Sequence, residues 1–224
     1  VFGGKEKTYQ AWNGIDGATL NSNRRFNSAG MYTDEAGNTR FYDNETDNYQ
    51  QDHSQLHWNE RWSDNWSSNF ALHYTKGKGY YENYKEDAKF SSYGLTPIVI
   101  NGTNINRTYL VRQKWLDNDF YRTTFSANYS TDALQLILGG GYNKYEGLHF
   151  GKVIWARYAS QSELGDRYYE DFATKTDGNF FAKANYQVSE QLSLYGDLQY
   201  RHVQYKADSP ETGLVNDTFR FFNP

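Results

Sequence analysis

Residues 134–145, LQLILGGGYNKY, read as one long β-strand with two unlike faces. Leu134, Leu136, Leu138, Gly140 and Tyr142 fall on one side; Gln135, Ile137, Gly139, Gly141 and Asn143 fall on the other. A strand puts i and i+2 on the same face. One face is greasy and closes on an aromatic ring, and the other is mostly small or polar. The fold turns on whether the greasy face meets protein or lipid.

The same alternation recurs along the chain. In 120–129, Tyr121, Phe125, Ala127 and Tyr129 oppose Arg122, Thr124, Ser126 and Asn128. In 180–188, Phe180, Ala182, Ala184, Tyr186 and Val188 oppose Phe181, Lys183, Asn185 and Gln187. In 192–202, Leu192, Leu194, Leu198 and Tyr200 oppose Ser193, Tyr195, Asp197 and Arg201. Phe70, Leu72 and Tyr74 oppose Ala71, His73 and Thr75, and a weaker run sets Leu56, Trp58 and Trp62 against His53, Gln55, His57 and Arg61. Helical periodicity is nearly absent; the best candidate is 15–25.

Connections alternate in length. WSDNW (62–66), STDA (130–133) and VSEQ (188–191) read as short turns. Long polar stretches are expected over roughly 82–107 and 147–177, before residue 48 and after residue 206. Several alternating runs exceed the usual ~5–6 residues of a soluble strand and reach the ~9–11 that a tilted membrane-spanning strand needs. Spanning barrels have apolar-out, polar-in strands, short turns at one end, long loops at the other and aromatic girdles. Trp62, Trp66, Tyr129 and Tyr186 suit one girdle; Tyr74, Tyr142 and Tyr200 suit the other. The expectation is an all-β antiparallel meander of long strands, part of a transmembrane β-barrel, with Leu134, Leu136 and Leu138 facing lipid. A position near Leu136 is expected at the bilayer midplane. Lys183, Asp197, Arg201 and Arg122 would then line a wet lumen, whereas a dry core would not tolerate them.

Composition agrees. Of 224 residues, 38% are hydrophobic and 18% aromatic, with 21 Tyr, 14 Phe and 6 Trp. Rings with a polar tip suit half-wet surfaces and membrane interfaces. Mean hydropathy is -0.93, and no run of about 18 apolar residues offers a transmembrane helix. A net charge of -4 with well-mixed signs carries no footprint for nucleic acid. With no cysteine there is no disulfide, thiolate nucleophile or Cys-ligated zinc. The chain opens at Val1 without a basic-then-apolar leader, as expected of a processed protein or an excised piece.

Motifs for chemistry are missing: there is no GxSxG, HExxH or P-loop. Gly139–Gly141 lie within a strand pattern and mark a bend, a bulge or close backbone approach, not a phosphate cradle. His53 and His57 share a strand face about 13 Å apart, too far for one ion. The stretch 43–48, DNETDN, lacks the glycine and distal glutamate of an EF-hand loop. No catalytic residue, cofactor or metal site is expected, and the protein is read as a non-enzyme. Recognition is expected in the long loops, where tyrosine sits among charges: Tyr80, Tyr81 and Tyr84 in GKGYYENYKE, and Arg167 and Tyr168 in GDRYYEDF. Arg24, Arg25 and Arg157 are the further candidates for an anionic ligand.

Several stretches resemble TonB-dependent outer-membrane receptors of the siderophore-receptor-like branch. They are 2–15, 43–58, 70–86, 110–129, 136–156 and 182–202, together more than half the chain. The resemblance implies a 22-stranded barrel in the outer membrane of a Gram-negative bacterium. It implies active import of a scarce solute, such as an iron–siderophore or other metal chelate, with haem, cobalamin or glycan as further classes. The implied partners are TonB, acting through a plug domain, the outer-membrane lipid, the small ligand and, in some branches, a surface lipoprotein. A full receptor carries a TonB-contacting segment and a plug ahead of the barrel and ends on a terminal aromatic. Residues 1–224 match only barrel, with roughly six full strands and flanking partial ones, so an internal barrel slice is expected, with the plug and the remaining strands outside it. The alternative class is a soluble secreted β-sheet module that stacks carbohydrate on Tyr and Trp.

Overall fold

The computed structural model describes residues 1–210 and 213–224. In chain order the strands are β1 (Phe2–Tyr9), β2 (Met31–Thr33), β3 (Thr39–Phe41), β4 (Thr46–Arg61), β5 (Trp66–Lys89), β6 (Ile98–Ile100), β7 (Thr103–Ile105), β8 (Arg107–Ser130), β9 (Leu134–Ala156), β10 (Arg167–Ser189), β11 (Leu192–Ser209) and β12 (Gly213–Asn223). One short helix, α1 (Gly17–Ser22), falls inside the stretch singled out by sequence and is N-capped by Asp16. Eight strands form one open antiparallel sheet in the order β1-β4-β5-β8-β9-β10-β11-β12; β2-β3 and β6-β7 are separate small hairpins. The sheet is a meander of long strands, and β5 and β8 reach 24 residues each. That far exceeds the usual globular strand.

The register joins the greasy faces into one band. Trp58, Phe70, Phe125, Gly140, Phe180, Tyr200 and Phe222 pair in succession across seven strands. Ser68, Ala127, Leu138, Ala182 and Leu198 follow as the next row. The opposite face at that level carries Asn59, Asn69, Ser126, Gly139, Phe181, Gln199 and Asn223. On each central strand the band spans about nine residues, 66–74, 121–129, 134–142, 178–186 and 192–200, the length that crosses a bilayer at a tilt. Its upper rim steps down across the sheet. Tyr74 pairs with Tyr121; Tyr142 lies two residues lower on β9, and Tyr200 two residues lower again on β11. A stagger of this kind is what tilted strands require to keep a band level. Above the rim the same face turns charged: Lys76 meets Asp117 at 2.7 Å and Asp119 at 2.9 Å, and Lys144 meets Glu146 at 2.6 Å. These ion pairs mark where the apolar band ends.

The three short turns lie together. In the first, the amides of Asn65 and Trp66 donate to Ser63 Oγ. In the second, Leu134 N–H donates to Thr131 Oγ1 at 3.0 Å. Asn65 Nδ2 donates to the Ser130 carbonyl at 2.7 Å, and Gln187 N–H to the Ala133 carbonyl at 2.8 Å, so neighbouring turns are tied side by side. The longer connections, 90–106 and 157–166, lie at the other end.

Those connections are shorter than the sequence suggests. The strands continue through most of 82–107 and 147–177, and the stretch after residue 206 is strand on both sides of residues 210–212. Polar alternation leaves no hydrophobic signal there, yet β5, β8, β9, β10 and β11 each pair with a strand on both sides, and β12 pairs with β11 at the edge of the sheet. The glycine run behaves as read: a Cβ on Gly140 would sit 2.5 Å from the Asn179 carbonyl oxygen, and the Phe125 ring covers the glycine. Leu136 pairs with Tyr129, which pairs with Trp66, so it lies near the lower girdle. Leu138 lies halfway along 134–142, two residues further from the short turns.

Candidate functional site

The polar face is covered at its long-loop end. A 3-10 turn, Phe90–Tyr93, folds back over the sheet and ends at Gly94, whose φ of 66° suits a residue without Cβ. Phe90, Tyr93 and Leu95 pack on Leu110, and Phe90 and Leu110 are fully buried. Gln161 ties this turn to the neighbouring connection. Its Nε2 donates to the Gly94 carbonyl at 3.1 Å, and its Oε1 accepts from Thr96 Oγ1 at 2.7 Å. The covering segment is therefore held from below by apolar packing and from the side by hydrogen bonds.

Beneath it lies a cavity of about 680 Å³, within the range of small-molecule sites. Asp47 and Tyr49 of β4, Tyr81 of β5, Arg112 and Lys114 of β8, His149 of β9 and Asp171 of β10 line it, with Tyr93 and Tyr168 at the cover. Alternation explains the set: Arg112, Lys114 and Leu116 continue the face of Arg122 and Thr124, and Asp171 continues that of Asn179 and Phe181.

Several buried polar atoms at this cavity lack a partner. Arg112 Nη1 donates to Tyr93 Oη at 3.2 Å, while its Nε is buried without a partner. The Tyr168 hydroxyl and Asp171 Oδ1 are also buried and unpartnered. Three such atoms around one cavity call for an occupant with hydrogen-bonding groups, water included. Burial holds the Tyr168 phenol well above its ordinary pKa, so it stays a neutral donor. Lys85, on the same face, is pushed below its ordinary value by burial and then by the Arg112 charge. Lys114 Nζ lies 5.5 Å over the Tyr169 ring. The arrangement offers cationic donors, phenols and the carboxylates of Asp47 and Asp171; it presents no nucleophile–base pair. Among the described residues, no group of three or more His, Asp or Glu could hold a metal.

The sequence candidates scatter. Tyr80, Tyr81 and Tyr84 stand on β5, and Arg167 and Tyr168 on β10, so these five belong to strands and not to loops. Tyr80, Tyr81 and Tyr168 border the cavity, with the Tyr80 ring tilted against Trp115 at 4.4 Å. Tyr84 packs instead on Tyr32 at 4.6 Å. Arg157 pairs with Glu35 at 2.9 Å and covers the Tyr109 ring; Arg167 pairs with Glu170 and covers Phe150. Arg24 and Arg25 are exposed after α1, away from the cavity. Sequence reading missed Arg112, Lys114, His149 and Asp171. The signal for Arg112 and Lys114 was the parity of 121–129, carried ten residues further back.

The structure is similar to two solved receptors. One is BauA, the ferric preacinetobactin receptor from Acinetobacter baumannii, with a TM-score of 0.46 and 10% identity over 79% of this chain and 27% of that one. The other is Fiu, the ferric-catecholate import receptor from E. coli K12 in its closed form, with a TM-score of 0.44 and 12% identity over 82% of this chain and 31% of that one. The chain thus spans less than a third of either receptor's length. No protein-family model matches the sequence, and no curated protein does.

Proposed function

We propose that this chain is barrel wall from an outer-membrane receptor of the TonB-dependent kind, importing a scarce solute across the outer membrane of a Gram-negative bacterium. One observation carries the reading: a staggered apolar band about nine residues tall, rimmed by aromatics, on a sheet whose other face is polar. In water that band would be a very large apolar patch, far beyond what soluble monomers leave uncovered. This argues against a soluble carbohydrate-binding module. In lipid the band needs no further cover.

In this reading the wall does no chemistry on the solute. It supplies a wet lumen and a capture site beneath the 90–106 connection. Cationic donors and neutral phenols suit an anionic, oxygen-rich chelate. Ferric chelates, named as the ligands of BauA and Fiu, are the first compounds to test. Energy would come from TonB through a plug elsewhere in the protein.

The test is ligand titration of the full-length receptor in detergent against ferric catecholates, ferric hydroxamates and haem. Arg112→Gln is expected to weaken the bound class by about 10-fold or more, the scale of a lost charged hydrogen bond. Tyr168→Phe should weaken it by less. Affinity for every ligand unchanged in Arg112→Gln would contradict this site.

A further inference from the structure

The polar face carries a second cluster, below the cavity and close to the upper rim of the band. His53 on β4 lies opposite Thr75 on β5, and His73 is two residues back along β5 on the same face. His53 Nδ1 is 3.2 Å from His73 Nε2 and 3.0 Å from Thr75 Oγ1, and His73 Nε2 is 2.7 Å from that same oxygen. Two ring nitrogens and a hydroxyl thus converge on one small triangle.

We infer that His53 and His73 form a cross-strand site for a nitrogen-preferring divalent transition ion, Cu²⁺ foremost and Zn²⁺ or Ni²⁺ after it, with Thr75 as a weak third donor. Ligands about 2.0–2.1 Å from one ion must stand roughly 2.9–3.4 Å apart, depending on geometry. The nitrogen–nitrogen separation of 3.2 Å and the 3.0 Å from His53 Nδ1 to Thr75 Oγ1 fall inside that window, whereas the 2.7 Å from His73 Nε2 to Thr75 Oγ1 falls below it, which makes Thr75 the weak donor.

Two further observations support it. The first is the tautomer. Gln51 Nε2 donates to Tyr49 Oη at 3.5 Å, which turns its Oε1 towards His53 Nε2 at 3.2 Å. A carbonyl there accepts a hydrogen bond from Nε2–H, so the proton stays on Nε2 and the Nδ1 lone pair faces His73. This is the outer-shell bond that metal-binding histidines use. The second is ring orientation. The Phe2 ring stacks on His53 at 4.7 Å, and Phe120 meets His73 edge-on at 6.2 Å. Both imidazoles are held before any ion arrives. One neighbour opposes the cation: Arg122 pairs with His73 across β5 and β8. Its charge limits the affinity without closing the site. By Irving–Williams order Cu²⁺ binds such a donor set most tightly.

The site is independent of the capture cavity, so failure of one leaves the other standing. The test uses the full-length receptor in detergent, stripped of metal and titrated with Cu²⁺ alone. Electron paramagnetic resonance should report a Cu²⁺ with two imidazole nitrogens. His53→Gln and His73→Gln should each weaken that ion at least 10-fold and remove the two-nitrogen pattern. His57→Gln, on the same face but bonded to its own Gln55 at 3.2 Å, should leave both within twofold. Arg122→Gln should tighten binding several-fold. Gln51→Leu should weaken it about 10-fold through the lost outer-shell bond. The wild-type spectrum needs no variant, so its lack of a two-imidazole signature would overturn the proposal. So would a signature that survives in folded His53→Gln and His73→Gln proteins.

Discussion

Leu138→Arg is expected to destabilise the full-length protein in a bilayer by about 2–4 kcal/mol, the cost of an arginine on the lipid face near the midplane. Leu138 lies halfway along 134–142 and pairs with Ala127 and Ala182, small neighbours that offer a guanidinium no partner. Asn128→Arg is the matched control. Asn128 sits on the polar face and pairs with Ile137, immediately before Leu138. Water already reaches that face, so the change should cost within about 1 kcal/mol. Reversible unfolding in lipid vesicles measures both. Equal costs would remove the distinction between the two faces.

The second large effect lies beyond the apolar band. Glu82 is 3% exposed. Its carboxylate accepts from Tyr42 Oη at 2.6 Å, Asn44 Nδ2 at 2.6 Å and Gln113 Nε2 at 2.7 Å. These bonds fasten the segment carrying β2 and β3 to β5 and β8. Glu82→Ala leaves three donors without their acceptor and should cost about 2–4 kcal/mol, concentrated in that segment. Limited proteolysis between residues 23 and 38 should accelerate accordingly. Unchanged cleavage would show that the segment is held by something else. The same pairing has a pH signature. Burial, then the Glu82 carboxylate, raises the Tyr42 phenol above its ordinary value. A raised pKa means the stabilisation is complete below about pH 10 and is lost as pH climbs through the folded-state value. Tyr42→Phe should abolish that alkaline release.

On the proposed reading, what the sequence reveals depends on where lipid is. From 134 to 142 one face is apolar and the other mostly small or polar, as a wall between lipid and water would require, and the side assignments made for 121–129, 180–187 and 192–200 match the register found. Beyond the rim both faces are wet. GKGYYENYKE therefore reads as loop although it continues β5, and the charged pairs Lys76–Asp117 and Lys144–Glu146 hide a strand behind polar composition. The capture cavity was half legible. Extending the parity of Arg122 back to Lys114 and Arg112 finds its cations, but the covering turn at Phe90–Tyr93 follows from tertiary packing on Leu110, which no local pattern announces. The histidine pair was hidden for a different reason. Alternation assigns faces, whereas cross-strand neighbours need the register. Only the turn at 62–66, centred on Asp64, places His53 opposite Thr75 and so beside His73.

The central claim is that the Leu134–Tyr142 face meets lipid. It is tested most directly by single cysteines at positions 137 and 138 of the full-length protein in vesicles, each carrying an environment-sensitive fluorophore. The two positions are adjacent in sequence and opposite in facing. The account predicts strong quenching by a brominated lipid at 138 and little at 137, with a water-soluble quencher giving the reverse. Lipid quenching at neither position, or equal quenching at both, would contradict it.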